Sequence, residues 1–115
     1  MWRSFLNAYY DNSNVNIDQI FESNLPFTIE NYNRTLVQLA DTLVSQLEYN
    51  YFDMFIIAIF YSNAGEKSKA LDFLERSYEM KNPQIIFLLN PVFDGLRNEI
   101  RYKDLCEKLN LQISI

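Results

Sequence analysis

The run FDMFIIAIFYSN, residues Phe52–Asn63, decides how the chain is read. Its β-branched and aromatic side chains would suit a buried strand. A run that is apolar on nearly every side carries no period to separate strand from helix. Length and boundaries do separate them. The run is long for a strand. Asp53 stands near its start, where a helix favours an acid, and Gly65 follows where a helix C-terminus takes a left-handed residue. A helix that is greasy all round must be covered all round. The expected fold is therefore all-α, with this helix at its centre.

Working outward, the next segment divides cleanly into two faces. Over Lys67–Lys81, Ala70, Leu71, Leu74, Ser77 and Tyr78 face inward, whereas Lys67, Asp72, Glu75, Arg76 and Glu79 face water. Asp72 and Arg76 make a favourable i, i+4 pair, and Pro83 is expected to end the helix. Upstream, Thr28 is a plausible N-cap for a long helix over Thr28–Tyr49, whose stripe is Tyr32, Leu36, Leu39, Ala40, Leu43, Val44 and Leu47. Trp2, Phe5, Leu6, Tyr9 and Tyr10 recur at helical spacing and predict a short helix over Trp2–Tyr10. DNSNVNID, Asp11–Asp18, is a loop signal, because Asn, Asp and Ser side chains bond their own backbone. Ile17, Ile20 and Phe21 add a helical turn before SNLPF interrupts at Pro26. A last helix is expected over Ile100–Leu109.

Length and composition bound the rest. At 115 residues the chain makes one domain, since halves would lack a workable core. It is read as a helical-hairpin region over 1–50, a central hairpin over 51–84 and a closing helical segment over 85–115. Hydrophobic residues at 49% argue against disorder, and only two glycines and three prolines favour a few long helices over a turn-rich β fold. The net charge of −5 and pI near 4.6 would repel phosphates, so neither nucleic acid nor an anionic membrane is an expected partner. MFIIAIFY, Met54–Tyr61, is far short of the ~20 residues that span a bilayer. MWRSFLNAYY lacks the continuous apolar run of a secretory signal, and one cysteine cannot form an internal disulfide. The expectation is a soluble, cytoplasmic protein.

The central hairpin also carries a resemblance. Ala58 falls where one helix must let its partner approach, and Tyr61 lies three positions on. Gly65 stands at the turn, Ala70 at the close contact of the second helix, Leu74 at a large core position and Pro83 near the end. From Tyr51 this stretch resembles a divergent tetratricopeptide repeat, a helix-turn-helix of about 34 residues. Met54 stands at the early tryptophan position and Ser77 replaces the last small alanine. NPVFDGLRNEIRYKDLCEKLNL, Asn90–Leu111, looks like the closing segment that follows such repeats in bacterial regulatory proteins. Pro91, Phe93, Asp94, Leu96, Arg97, Arg101, Tyr102, Leu105 and Leu109 match it. Asn90 replaces the usual acid, and Gly95 and Ile100 replace prolines.

Residues that invite a chemical reading have simpler explanations. Asp94 and Arg97 suit a capped turn and an arginine bonding carbonyls or that carboxylate. Cys106 shares an apolar stripe with Tyr102, Leu105 and Leu109 and reads as a buried, inert thiol. Asp11, Ser13 and Glu22 fall at positions one, three and twelve of a calcium loop, but Val15 stands where a ligand is required. With no histidine, the commonest general base and metal ligand is missing from the chain. No phosphate-cradling glycine loop, Cys-x-x-Cys pair or serine elbow occurs. The chain is read as a non-enzyme without cofactor or metal.

The resemblance implies a protein-interaction module, autonomous or cut from a larger regulatory protein, in which the first helices of stacked pairs line a groove. Groove-facing positions would be Phe52, Phe55, Ile59, Ser62 and Asn63. Only Asn63 has the character of a carboxylate clamp. A protein or peptide with basic flanks would suit the acidic balance. Two alternatives stand beside this reading: a neighbouring helix covers Phe52, Phe55 and Ile59 as core, or the helices enclose a small apolar ligand.

Overall fold

The computed structural model describes residues 2–10, 16–26, 28–46 and 50–109. Among them every regular element is helical. The order is α1 (Trp2–Tyr9), α2 (Ile17–Glu22), α3 (Ile29–Gln46), α4 (Tyr51–Asn63), α5 (Lys67–Glu79), two 3₁₀ segments (Pro83–Leu89 and Pro91–Leu96) and α6 (Ile100–Lys108). The chain is all-α. Asp11, Ser13 and Val15 of the calcium-loop spacing, Leu47 and Tyr49 of the long helix, and Leu111 lie outside the described residues.

The ends of α4 explain why its greasy run is a helix. Asn50 Oδ1 accepts from the Asp53 N–H at 2.7 Å, and Asp53 Oδ2 accepts from the Asn50 N–H at 3.2 Å. This reciprocal capping box satisfies donors that the first turn would otherwise orphan. At the other end Gly65 takes φ +82. There the Glu66 N–H reaches the Tyr61 carbonyl at 2.9 Å and the Gly65 N–H reaches that of Ser62 at 3.1 Å. A Cβ at Gly65 would meet no neighbour, so its backbone angle alone calls for glycine. Thr28 Oγ1 caps α3 in the same spirit, accepting from the Asn31 N–H at 3.1 Å.

α4 is the hub. It packs against α3, α5 and both 3₁₀ segments, and Met54, Ile56, Ile57, Ala58 and Phe60 are all buried. Ala58 and Ala70 are fully buried in the α4–α5 hairpin, where alanine's small volume permits close approach. One continuous core runs from Leu6 in α1 to Cys106 in α6. No helix among the described residues is long and apolar enough to cross a membrane.

Two local expectations are corrected. α5 stops at Glu79, before Pro83 can act, because Lys81 turns left-handed at φ 58. The Asn82 N–H then bonds the Ser77 carbonyl at 2.9 Å and closes the helix end. Pro83 instead opens the first 3₁₀ segment, with Asn82 Oδ1 accepting from the Gln84 N–H at 2.9 Å. Asn90 and Pro91 repeat the device, Oδ1 accepting from the Val92 N–H at 3.0 Å. Nor does Asp72 pair with Arg76. Asp72 accepts from Arg101 Nη2 at 2.6 Å, and Arg101 also grips both Glu75 oxygens at 2.9 and 2.7 Å. The Arg76 guanidinium lies over the Phe73 ring at 4.8 Å, while the planar Arg101 cation on α6 forks onto Glu75 and gives Asp72 one N–H.

Candidate partner-binding face of α4

The groove-facing positions of α4 do lie along one side of the helix, and the structure treats them unequally. Phe55 and Ile59 are only 9% and 8% exposed. The Phe55 ring meets Phe93 edge-on at 5.5 Å and Phe87 at 6.3 Å, so the second and first 3₁₀ segments cover it. Ser62 is half-buried and its Oγ donates to the Val92 carbonyl at 3.2 Å, tying α4 to the second 3₁₀ segment. Asn63 is exposed. Phe52 is half-buried under α1, with its ring 5.1 Å from Tyr9 and 6.3 Å from Phe5.

The cover is itself aromatic and partly open. Phe5 and Tyr9 stack at 5.8 Å and are each 39% exposed, while Phe87 is 50% exposed. Phe52 and Phe55 stand one turn apart on α4 and join the two groups. The exposed rings of α1 and of the first 3₁₀ segment thus stand on either side of half-buried Phe52 and buried Phe55.

A buried polar contact seats α1 on α4. Tyr10 donates its hydroxyl to Asp53 Oδ1 at 2.8 Å, and Asn50 Nδ2 reaches the Tyr9 hydroxyl at 3.4 Å. Burial, and after it the hydrogen bond to Asp53, hold the Tyr10 hydroxyl far above its ordinary value of 10.0. The phenol therefore stays a donor at any physiological pH. Asp53 uses one oxygen for the capping box and the other for Tyr10, which accounts for a carboxylate at 4% exposure.

Charged groups elsewhere hold elements together. Arg3 on α1 donates to Asp18 at 2.8 Å and Glu22 at 3.4 Å on α2, and Asn7 adds a bond to Asp18 at 3.1 Å. Arg97 Nε donates to Asp94 at 2.7 Å, and its Nη2 approaches the Leu89 carbonyl at 3.5 Å, so one arginine touches both 3₁₀ segments. Burial pushes the Cys106 thiol up, away from nucleophilic use. Burial likewise pushes the Tyr102 hydroxyl up to about 12, and it donates to the Leu88 carbonyl at 2.9 Å. Among the described residues, one cleft of about 290 Å³ between α2 and α3 is lined by Gln19, Ile20, Ser23, Gln38, Asp41 and Thr42, and a second of about 420 Å³ lies where the end of α5, the first 3₁₀ segment and Leu109 meet.

Tyr61 and Leu74 are buried in the α4–α5 hairpin with Ala58 and Ala70, while Pro83 is exposed beyond it. The spacing argument missed Phe5, Tyr9 and Phe87 as the exposed part of the α4 face. The paired Asn-Pro steps at residues 82–83 and 90–91 were the available signal, since each sets a cap and a first helical φ and so starts a short turn that folds back. Comparison with protein-family models, curated proteins and solved structures gives no match.

Proposed function

We propose that the chain is a non-enzymatic protein-interaction module of tetratricopeptide type, engaging a protein or peptide through the aromatic row over α4. The observation that carries this reading is that Phe5, Tyr9 and Phe87 keep substantial ring surface in water while packed side by side with Phe52 and Phe55. Rings held by neighbours lose little entropy on binding, and aromatic anchors of this kind dominate interface energetics. Support for the repeat reading is the α4–α5 hairpin itself, with small residues at the close contact and a left-handed glycine at the turn. The contact surface then differs from the expected groove: α1 and the 3₁₀ segments lie over Phe52 and Phe55, and a partner would meet Phe5, Tyr9 and Phe87 instead. A partner contributes one or two large apolar side chains, as an amphipathic helix or extended segment. Basic flanks on it would speed association with a chain of net charge −5.

The test is to select peptides against the immobilised chain from a random display library and to map a binder by amide chemical-shift perturbation. The reading expects shifts concentrated at Phe5, Tyr9, Phe52 and Phe87. Binders that perturb only other surfaces, or no binders at all, would overturn it.

A further inference from the structure

Two side chains of α3 are each held from behind by a buried neighbour, which leaves half of each for the cleft between α2 and α3. The fixed orientations start at Asn24, which is 6% exposed. Its side chain bonds the Ile20 carbonyl at 2.8 Å, and a carbonyl only accepts, so the amide nitrogen Nδ2 stands there. The same nitrogen lies 2.6 Å from Gln38, which therefore answers with Oε1. The Nε2 donors of Gln38 are left over. One turn on, buried Tyr61 donates its hydroxyl to Asp41 Oδ1. Among the described residues Asp41 Oδ2 has no partner, and no ion pair involves Asp41. Lys69 stays over the Tyr61 ring at 5.4 Å. Gln38 and Asp41 line the cleft of about 290 Å³ with Thr42, and with Gln19, Ile20 and Ser23 from the α2 side.

This lining selects its ligand by chemistry. Asp41 is its one charge, and a carboxylate without a counter-ion calls for a cation. The Gln38 donors call for an acceptor beside that cation. Positions three apart on a helix have Cβ atoms about 5–6 Å apart. A small group whose ammonium and oxygen sit on neighbouring carbons therefore meets both through ordinary hydrogen bonds. A guanidinium brings no acceptor, and a carboxylate brings a charge that Asp41 repels. Ile20, half-buried, offers contact to a short aliphatic side chain.

We infer that the α2–α3 cleft binds an α-aminoacyl group, with its ammonium on Asp41 and its neutral carbonyl on Gln38. An amino-acid amide and the unblocked N-terminus of a peptide both present that group. Because buried partners already fix the two side chains, binding loses little of their entropy. The cleft is at the small end of ligand sites, so the affinity is weak, about 0.1–10 mM. The site is separate from the exposed rings of α1 and the first 3₁₀ segment, and each reading stands or falls without the other.

Titration of the full chain with leucinamide, followed by amide chemical shifts, tests it. The pH is set to about 6.5, below the α-amino range of about 7.7–8.0, so that the ammonium is charged. Shifts should concentrate at Gln19, Gln38, Asp41 and Thr42. N-acetyl-leucinamide lacks the ammonium and isopentylamine lacks the carbonyl, and each should bind at least tenfold more weakly. Asp41→Asn keeps an acceptor for Tyr61 and should weaken leucinamide at least tenfold, whereas Asp104→Asn, at an exposed position on α6, should not. Gln38→Glu keeps an oxygen for Asn24 but removes the donors, and should erase the preference for leucinamide over isopentylamine. If a variant fails to fold, the ranking of the three probes on the unmodified chain decides. Equal binding of either control probe, shifts confined to other surfaces, or no saturable binding up to about 50 mM would overturn the inference. Leucylglycinamide separates the two sources: binding at least as tight as that of leucinamide assigns a peptide N-terminus, and weaker binding assigns a free amino-acid derivative.

Discussion

Replacing Phe55 by alanine asks whether the α4 face is core or open floor. In the structure the ring is 9% exposed and packs against Phe93 at 5.5 Å and Phe87 at 6.3 Å. Returning a buried phenylalanine to water loses about 2–3 kcal/mol of transfer free energy. The cavity left behind brings such truncations to about 3–5 kcal/mol where neighbours cannot collapse. Phe93 cannot follow the lost ring, because it is fully buried and fixed in the second 3₁₀ segment. Phe87, half in solvent, can move inward and recover part of the loss, which places the expectation near 3 kcal/mol. For a domain of ordinary stability, about 5–15 kcal/mol, that is a large fraction. With a urea slope of about 1–3 kcal/mol per molar, the midpoint should drop by at least about 1 M. Phe87→Ala, by contrast, removes a ring already half in water and should cost no more than about half as much. The assay is urea unfolding of both variants followed by far-ultraviolet circular dichroism, with slopes compared. A Phe55→Ala cost below about 1 kcal/mol, or one no greater than that of Phe87→Ala, would refute the packing argument.

Further outcomes follow from single contacts. Ala70→Leu should overpack the α4–α5 contact and cost about 1–3 kcal/mol by the same unfolding assay, since Ala70 is fully buried. Tyr10→Phe leaves one oxygen of buried Asp53 without its donor and should cost about 1–3 kcal/mol; in a double-mutant cycle with Asp53→Asn the two losses should be strongly non-additive. Arg101→Gln should flatten the acid limb of stability. Glu75 is held below its ordinary value of 4.5, chiefly by its hydrogen bonds from Arg101, so its contribution is present above that value and is lost as pH falls through the lowered one. Urea midpoints of the variant should therefore change less than those of the parent chain across that acid range, by a modest amount because the pair is partly exposed.

Much of the fold was written locally. Asn50, Asp53 and Gly65 bracket an apolar run with a capping box and a left-handed stop, and those devices need only neighbours three to five residues away. Thr28 before α3 and the inward stripe of α5 belong to the same class, because a 3.6-residue period and a cap are properties of a short window. Even the centrality of α4 followed from a single helix, since a surface apolar all round has to be covered all round. What covers it was not local. Whether Phe55 is floor or core depends on where residues 83–93 return, and that return turns on Lys81 going left-handed and on two Asn-Pro starts that act at a distance through Phe87 and Phe93. Asp72 shows the same limit: one turn away Arg76 offered a partner, but Arg101, far along the chain, brought a better one. Periodicity says which side of a helix is apolar, whereas only the packed chain says which of those side chains meet another element and which still meet water.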